Sequence, residues 1–129
     1  LNNNRFPGLN TQEAAMMNFI ALVVEDDPLQ RAFLADLLKE QGLEVVECAS
    51  AEAAELVLVA TGTELRALVT DVNLAGDMSG VALAQYAKRK FPLLNVVMVS
   101  GRGPPYIPQD TRFLMKPFLP DELLDAVLN

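Results

Sequence analysis

The chain has 129 residues, 51% of them apolar, with a formal net charge of −7, eight prolines and no tryptophan. This is the length of one domain with enough apolar mass for a real core, and the composition is not that of a disordered chain. The acidic balance, with no basic run to offset it, argues against a nucleic-acid surface, and the absence of histidine removes the commonest general base and metal ligand.

Chemistry must therefore come from carboxylates, Lys/Arg, hydroxyls or the backbone. Cys48 is the single cysteine; it follows a strand-like run and reads as a buried thiol in a reducing compartment. No apolar run approaches the ~18 residues of a membrane span. Met16 to Val24 runs into Glu25-Asp26-Asp27 with no small-residue cleavage site, so it does not read as a signal peptide. The expected location is the cytoplasm, with no membrane partner.

Residues 1–18 begin as a polar arm or linker, with one or two helical turns expected from Thr11 to Met17 and Thr11 as their cap. The domain proper is read as residues 19–129. Phe19 to Val24 is an apolar run of strand length, followed by Glu25-Asp26-Asp27. Asp27 and Pro28 then open a helix as cap and first residue, with Leu29, Phe33, Leu34, Leu37 and Leu38 at helical spacing and Gly42 as its stop. Leu43 to Glu47 reads as the second strand. Ser50 caps a helix carrying Ala53, Leu56, Val57 and Ala60 on one side, ended by Gly62.

Ala67 to Thr70 is the third strand and runs straight into Asp71. The breaker-rich loop Val72 to Ser79 follows. Ser79-Gly80 opens a helix with Val81, Leu83, Ala84 and Ala87, stopped at Phe91-Pro92. Asn95 to Val99 is the fourth strand, Thr111 to Met115 the fifth, and Pro120 to Leu128 the last helix. Strands alternate with helices and are mostly apolar, which predicts a five-stranded parallel α/β sheet, doubly wound with helices on both faces.

One step breaks this alternation. Gly101 to Asp110 holds three prolines and two glycines, a composition that does not make an ordinary helix. Ten extended residues span up to ~33 Å, enough to return along a short strand. An irregular or extended connector is expected there. If no helix covers that part of the sheet, Tyr106 and Ile107 either fold down to fill the gap or leave an apolar patch open to a partner or a homodimer. Filling the gap is the slightly favoured expectation.

Four of the five strands end in, or just before, polar residues: Glu25/Asp26/Asp27, Asp71, Ser100 and Lys116. In a parallel sheet those ends share one edge, where open α/β sheets place their ligands. Clustered carboxylates repel one another unless a cation intervenes. Mg²⁺ suits such a site, because it takes one or two carboxylates plus waters and a phosphate oxygen. Carboxylate, Mg²⁺, lysine and hydroxyl together suit phosphoryl transfer, with Asp71 as the reactive group. Asp27 reads as a helix cap more readily than as a ligand.

The segments Leu22-Val23-Val24-Glu25-Asp26-Asp27, Val69-Thr70-Asp71, Val97-Met98-Val99-Ser100-Gly101 and Met115-Lys116-Pro117-Phe118 resemble, in order, the receiver domain of two-component response regulators. The resemblance covers residues 19–129 and implies a flavodoxin-like sheet of order 2-1-3-4-5. It implies that Asp71 accepts a phosphoryl group from the phosphohistidine of a histidine kinase or histidine phosphotransfer protein. Asp26 would hold Mg²⁺ directly, Glu25 through water, and Asn73 through its backbone carbonyl. Ser100 would be the switch hydroxyl, Lys116 the partner of the phosphoryl oxygens before a Pro117 bond that is often cis, and Phe113 the aromatic switch position.

The sequence departs from that family in two places. The loop from Asp71 to Gly80 is one residue longer than the common pattern and has Ala75 in place of a proline, and the connector after Ser100 lacks the usual helix. Arg102, two residues after Ser100, is a candidate for tuning phosphoryl lifetime. A stand-alone regulator, a phosphate sink and a receiver cut from a hybrid kinase all fit the chain. Two other functions compete with a phosphoacceptor. A Mg²⁺-dependent phosphatase with an aspartyl nucleophile would want a second acid at Asn73. A flavin-binding module would need a phosphate loop where Glu25-Asp26-Asp27 stands.

Overall fold

The computed structural model describes residue 10 and residues 18–129. The helical turns expected from Thr11 to Met17 lie outside the described residues. Five strands, β1 (Ile20–Val24), β2 (Glu44–Cys48), β3 (Ala67–Asp71), β4 (Asn95–Ser100) and β5 (Arg112–Met115), form one sheet of order β2-β1-β3-β4-β5. All four neighbouring pairs are parallel. The helices are α1 (Pro28–Lys39), α2 (Ala51–Thr61), α3 (Gly80–Lys90) and α4 (Pro120–Leu128), with a short 3₁₀ turn at Gly62–Glu64. The expected doubly wound sheet is present, with strand ends displaced by one residue: β3 takes in Asp71 and β4 takes in Ser100.

Local chemistry starts and stops the helices where the sequence indicates. Asp27, Ser50 and Ser79 each accept a backbone N–H of the following first turn, from Leu29, Ala53 and Ala82 respectively. Pro28 and Pro120 sit in first turns, where no N–H is needed.

The period-two alternation of the strands sorts their side chains into two cores. Ala21, Val23, Val69, Val97 and Val99 face α1 and α4, packing with Leu34, Leu38, Leu123 and Val127. Leu22, Val24, Leu68, Val96 and Met98 face α2 and α3, packing with Ala54, Leu58, Leu83 and Ala87. Each fully buried leucine in these layers stabilises the fold by about 1.5–3 kcal/mol. Cys48 is a free, buried thiol in the second core.

Two helix faces differ from expectation. On α1, Leu34, Ala35 and Leu38 are buried, but Leu29 and Phe33 face solvent. On α2, the buried residues are Ala51, Ala54 and Leu58, whereas Leu56 and Ala60 are exposed. The sequence of α2 is apolar around most of its circumference, so periodicity alone could not choose the face, and contact with the sheet chose it.

Between β4 and β5 the chain forms no helix, as the prolines and glycines require. Pro108 is buried, and the Thr111 hydroxyl donates to its carbonyl at 2.6 Å. Tyr106 and Ile107 do not fill the gap: both remain about half exposed. The reason is local, since the Tyr106 hydroxyl donates to Gln85 Oε1 on α3 at 2.8 Å and so keeps the ring at the outer side of that helix.

Candidate functional site

Strand register assembles the polar residues. Val24 pairs with Thr70, Asp71 with Val99, and Ser100 with Met115, so Glu25, Asp71, Ser100 and Lys116 come level along one edge. The Lys116 N–H donates to the Ser100 carbonyl at 2.8 Å, and the Glu25 N–H to the Cys48 carbonyl at 3.1 Å. These bonds extend the ladders by one residue beyond each strand and fix where the side chains start.

At the centre, Lys116 Nζ lies 3.0 Å from Asp71 Oδ2 and 3.3 Å from Glu25 Oε1. Glu25, Asp71 and Ser100 are buried, with Glu25 only 1% exposed. Burial, followed by its hydrogen bond with Asp71, raises the Glu25 carboxyl to about 7. Burial alone would also raise Asp71. Hydrogen bonds from Glu25, the Asn73 N–H and Lys116, together with the lysine charge, outweigh it and hold Asp71 below the ordinary carboxylate range. Burial would lower Lys116, but the hydrogen bond and charge of Asp71, and then those of Glu25, raise it. At neutral pH the site therefore presents an ionised Asp71 beside a charged lysine, with Glu25 near its midpoint.

The remaining expected residues surround this centre. The Asn73 N–H donates to Asp71 Oδ1 at 2.9 Å, and its side-chain amide reaches Ser100 Oγ at 3.4 Å. Asp26 Oδ2 accepts the Ala75 N–H at 3.0 Å, tying the first acidic cluster to the loop after β3. Asp27 is a helix cap, as its sequence context indicated. The Arg102 N–H lies 3.4 Å from Ser100 Oγ, while its side chain is exposed. Phe113 is half-buried against the α2/α3 core. The Lys116–Pro117 peptide bond is cis.

Among the described residues, no group of three acidic or thiol side chains stands ready as a metal cage. The donor set nonetheless fits Mg²⁺. All the available ligands are hard oxygens, two buried carboxyls converge with a single lysine between them, and Mg²⁺ uses few protein ligands because it keeps its waters.

Sequence reasoning missed three residues. Gln30 Oε1 accepts from Lys116 Nζ at 2.6 Å, and its amide donates to Asp27 Oδ2 at 2.9 Å, so it holds the lysine from the side of α1. The visible signal was Asp27-x-x-Gln30, a capping-box spacing. In the sequence Gly80 marks only a helix start. A Cβ there would stand 1.7 Å from the Asp71 carbonyl oxygen, so only glycine lets α3 begin against the end of β3. Glu52 accepts the N–H groups of Asp77 and Met78 at 3.1 and 3.0 Å, and no local pattern announces that contact.

A family model for the response regulator receiver domain matches residues 21–128. Nodulation protein W of Bradyrhizobium diazoefficiens is 36% identical over 117 residues, which is 84% of this chain and 49% of that protein. The chain thus spans about half the length of that relative. Among solved structures, a response regulator receiver protein from Sinorhizobium medicae superposes with a TM-score of 0.78 at 23% identity, covering 87% of this chain and 93% of the other. The receiver domain of the hybrid histidine kinase CckA superposes at 0.73 with 29% identity, covering 84% and 94%. The match over nearly the whole domain, on a sheet of the same order, makes this chain a member of the response regulator receiver domain family.

Proposed function

We propose that the chain takes a phosphoryl group from a phosphohistidine onto Asp71 and changes a protein-interaction surface in response. The observation that carries this reading is the contact of Lys116 Nζ with Asp71 Oδ2 at 3.0 Å, in a buried site where Asp71 is held ionised. A carboxylate oxygen of Asp71 attacks phosphorus in line. The bond from phosphorus to the imidazole nitrogen breaks, its electron pair stays on the nitrogen, and the partner's ring takes up a proton. Lys116 meets the negative charge on the transferred group, and Ser100, buried at the end of β4, donates to it.

Asp26, Asp71 and the Asn73 carbonyl would hold Mg²⁺, with Glu25 acting through water. Bound there, the ion neutralises the phosphoryl oxygens. The donors are a histidine kinase or a histidine phosphotransfer protein, and the reaction belongs to the cytoplasm. The protein is a regulator whose only catalysis is its own phosphorylation and dephosphorylation. The acyl phosphate draws Ser100 inward and biases a two-state surface that includes Phe113. The phosphatase alternative lacks its second acid, since Asn73 donates to Ser100 instead. The flavin alternative would set a ligand phosphate against Glu25 and Asp26.

Incubation with acetyl phosphate, with and without Mg²⁺, followed by intact-mass measurement tests the proposal. A single Mg²⁺-dependent phosphoryl adduct that disappears in Asp71→Ala is expected. An adduct that survives Asp71→Ala, or none in the wild-type chain, contradicts it.

A further inference from the structure

The loop from Val72 to Ser79 is fastened along its whole length. At its start, the Val72 N–H donates to the Val99 carbonyl at 3.0 Å, and at its end the Gly80 N–H donates to the Val72 carbonyl at 2.9 Å. Between these, the Asn73 N–H is held by Asp71 and the Ala75 N–H by Asp26. The Asp77 and Met78 N–H groups converge on one oxygen of Glu52, which projects from the first turn of α2. Gly76 completes the fit. Its φ is +106°, and a Cβ there would lie 3.0 Å from Glu52 Oε1, so the carboxylate occupies the space a side chain would take. The Glu52 N–H and the N–H groups of Met78 and Asp77 hold the Glu52 carboxyl below its ordinary range, so it stays an acceptor at neutral pH.

These anchors are not equivalent. Asp71 and Asp26 are the groups that the phosphoacceptor reading assigns to the phosphoryl group and the metal. Once their oxygens are shared with a cation, they hold the loop less firmly. Glu52 takes no part in that chemistry, so beside the two backbone bonds at the loop's ends it is the side-chain anchor that persists through the cycle. We propose that Glu52 is a positioning residue: by holding Asp77 and Met78 over Gly76, it fixes the loop so that the Asn73 carbonyl and the Ala75 N–H stay aligned with Asp71 and Asp26 for Mg²⁺. The inference rests on the phosphoacceptor reading and adds to it a residue from outside the four strand-end motifs.

The test uses the full chain as wild type, Glu52→Ala and Glu52→Gln, titrated with Mg²⁺ while backbone amide NMR shifts are followed. Glu52 is exposed, so its variants leave both cores intact. Glu52→Ala is expected to weaken Mg²⁺ binding roughly three- to tenfold, at the low end for groups that orient metal ligands. It is also expected to move the metal-free amide resonance of Ala75, which Glu52 does not touch. Glu52→Gln keeps an acceptor oxygen but loses the charge, and is expected to stay within about twofold of wild type. A Glu52→Ala affinity equal to wild type overturns the inference, and so does a Glu52→Gln as weak as Glu52→Ala. Either result leaves the phosphoacceptor reading standing if the wild type still responds to Mg²⁺. A wild type whose Asp26, Asp71 and Asn73 resonances ignore Mg²⁺ overturns both.

Discussion

Two segments leave the same edge of the sheet, and they are built in opposite ways. The loop after β3 is short and fastened by the side chains of Asp71, Asp26 and Glu52, with glycines at 76 and 80 where no side chain fits. The connector after β4 has prolines in place of a helix, one buried residue at Pro108, and Tyr106 and Ile107 half exposed. A Cβ added at Gly101 or Gly103 would meet nothing within 4 Å. The first segment holds Asp71 and Asp26 in a fixed geometry. The second only has to bring the chain back to β5 so that Lys116 arrives opposite Asp71, and bonds at its two ends achieve that. Precision at this edge is therefore concentrated where a phosphoryl group would be bonded, and the surface that would report it is left loosely covered.

The largest effect expected from disturbing the contrast is at its junction. Lys116→Ala leaves Asp71 and Glu25 without their shared cation, and phosphorylation by acetyl phosphate should slow about a hundredfold or more. Stopped-flow or quenched-mass kinetics would measure it, and a rate near wild type would remove Lys116 from the chemistry.

The next effect should appear in the pH dependence of stability without metal. Glu25 titrates near 7 in the folded protein against an ordinary value of 4.5, so the folded state holds a proton that the unfolded chain has released. Its contribution is complete below pH 4.5 and is lost as pH rises through about 7. Asp71 and Lys116 shift in the other senses and stay charged across that window, so they do not cancel it. Urea melts from pH 5 to pH 8 should show the decline, and Glu25→Gln should flatten it. A wild-type curve already flat would show that Glu25 is ionised throughout.

The glycines separate the two segments directly. Gly80→Ala forces a methyl into the Asp71 carbonyl and should cost about 1–3 kcal/mol or more. Gly103→Ala should lie within about 0.5 kcal/mol of wild type, or slightly above it through a stiffer unfolded chain. Equal costs at the two sites would mean that the two segments are equally constrained. The smallest effect belongs to Tyr106→Phe, which removes the single exposed hydrogen bond to Gln85. It should cost about 0.5–1 kcal/mol and leave the phosphorylation rate unchanged.

Sheet and site centre were legible because both depend on short-range signals. Apolar runs of strand length ended in Glu25, Asp71, Ser100 and Lys116, and caps at Asp27, Ser50 and Ser79 set the helices between them. A parallel sheet then brings strand ends together without further information. What could not be read depends on how elements meet in space. Leu29 and Phe33 have the spacing of a buried stripe but lie on the part of α1 that the sheet does not reach. Gln30 touches Lys116, and Glu52 touches Asp77, only because α1 and α2 pack beside the loops of distant strands. Tyr106 finds the Gln85 amide oxygen on α3 as the partner of its hydroxyl, a contact that only the packed fold reveals.

If the chain is a phosphoacceptor, Asp71 is the residue modified. Acyl phosphates are reduced by borohydride, so the chain can be treated with acetyl phosphate and Mg²⁺, reduced, digested and sequenced by mass spectrometry. Conversion of Asp71 to homoserine, dependent on Mg²⁺ and confined to that position, is expected. Conversion at Asp26, Asp27 or Asp77 in place of Asp71, or no conversion at any aspartate, would contradict it.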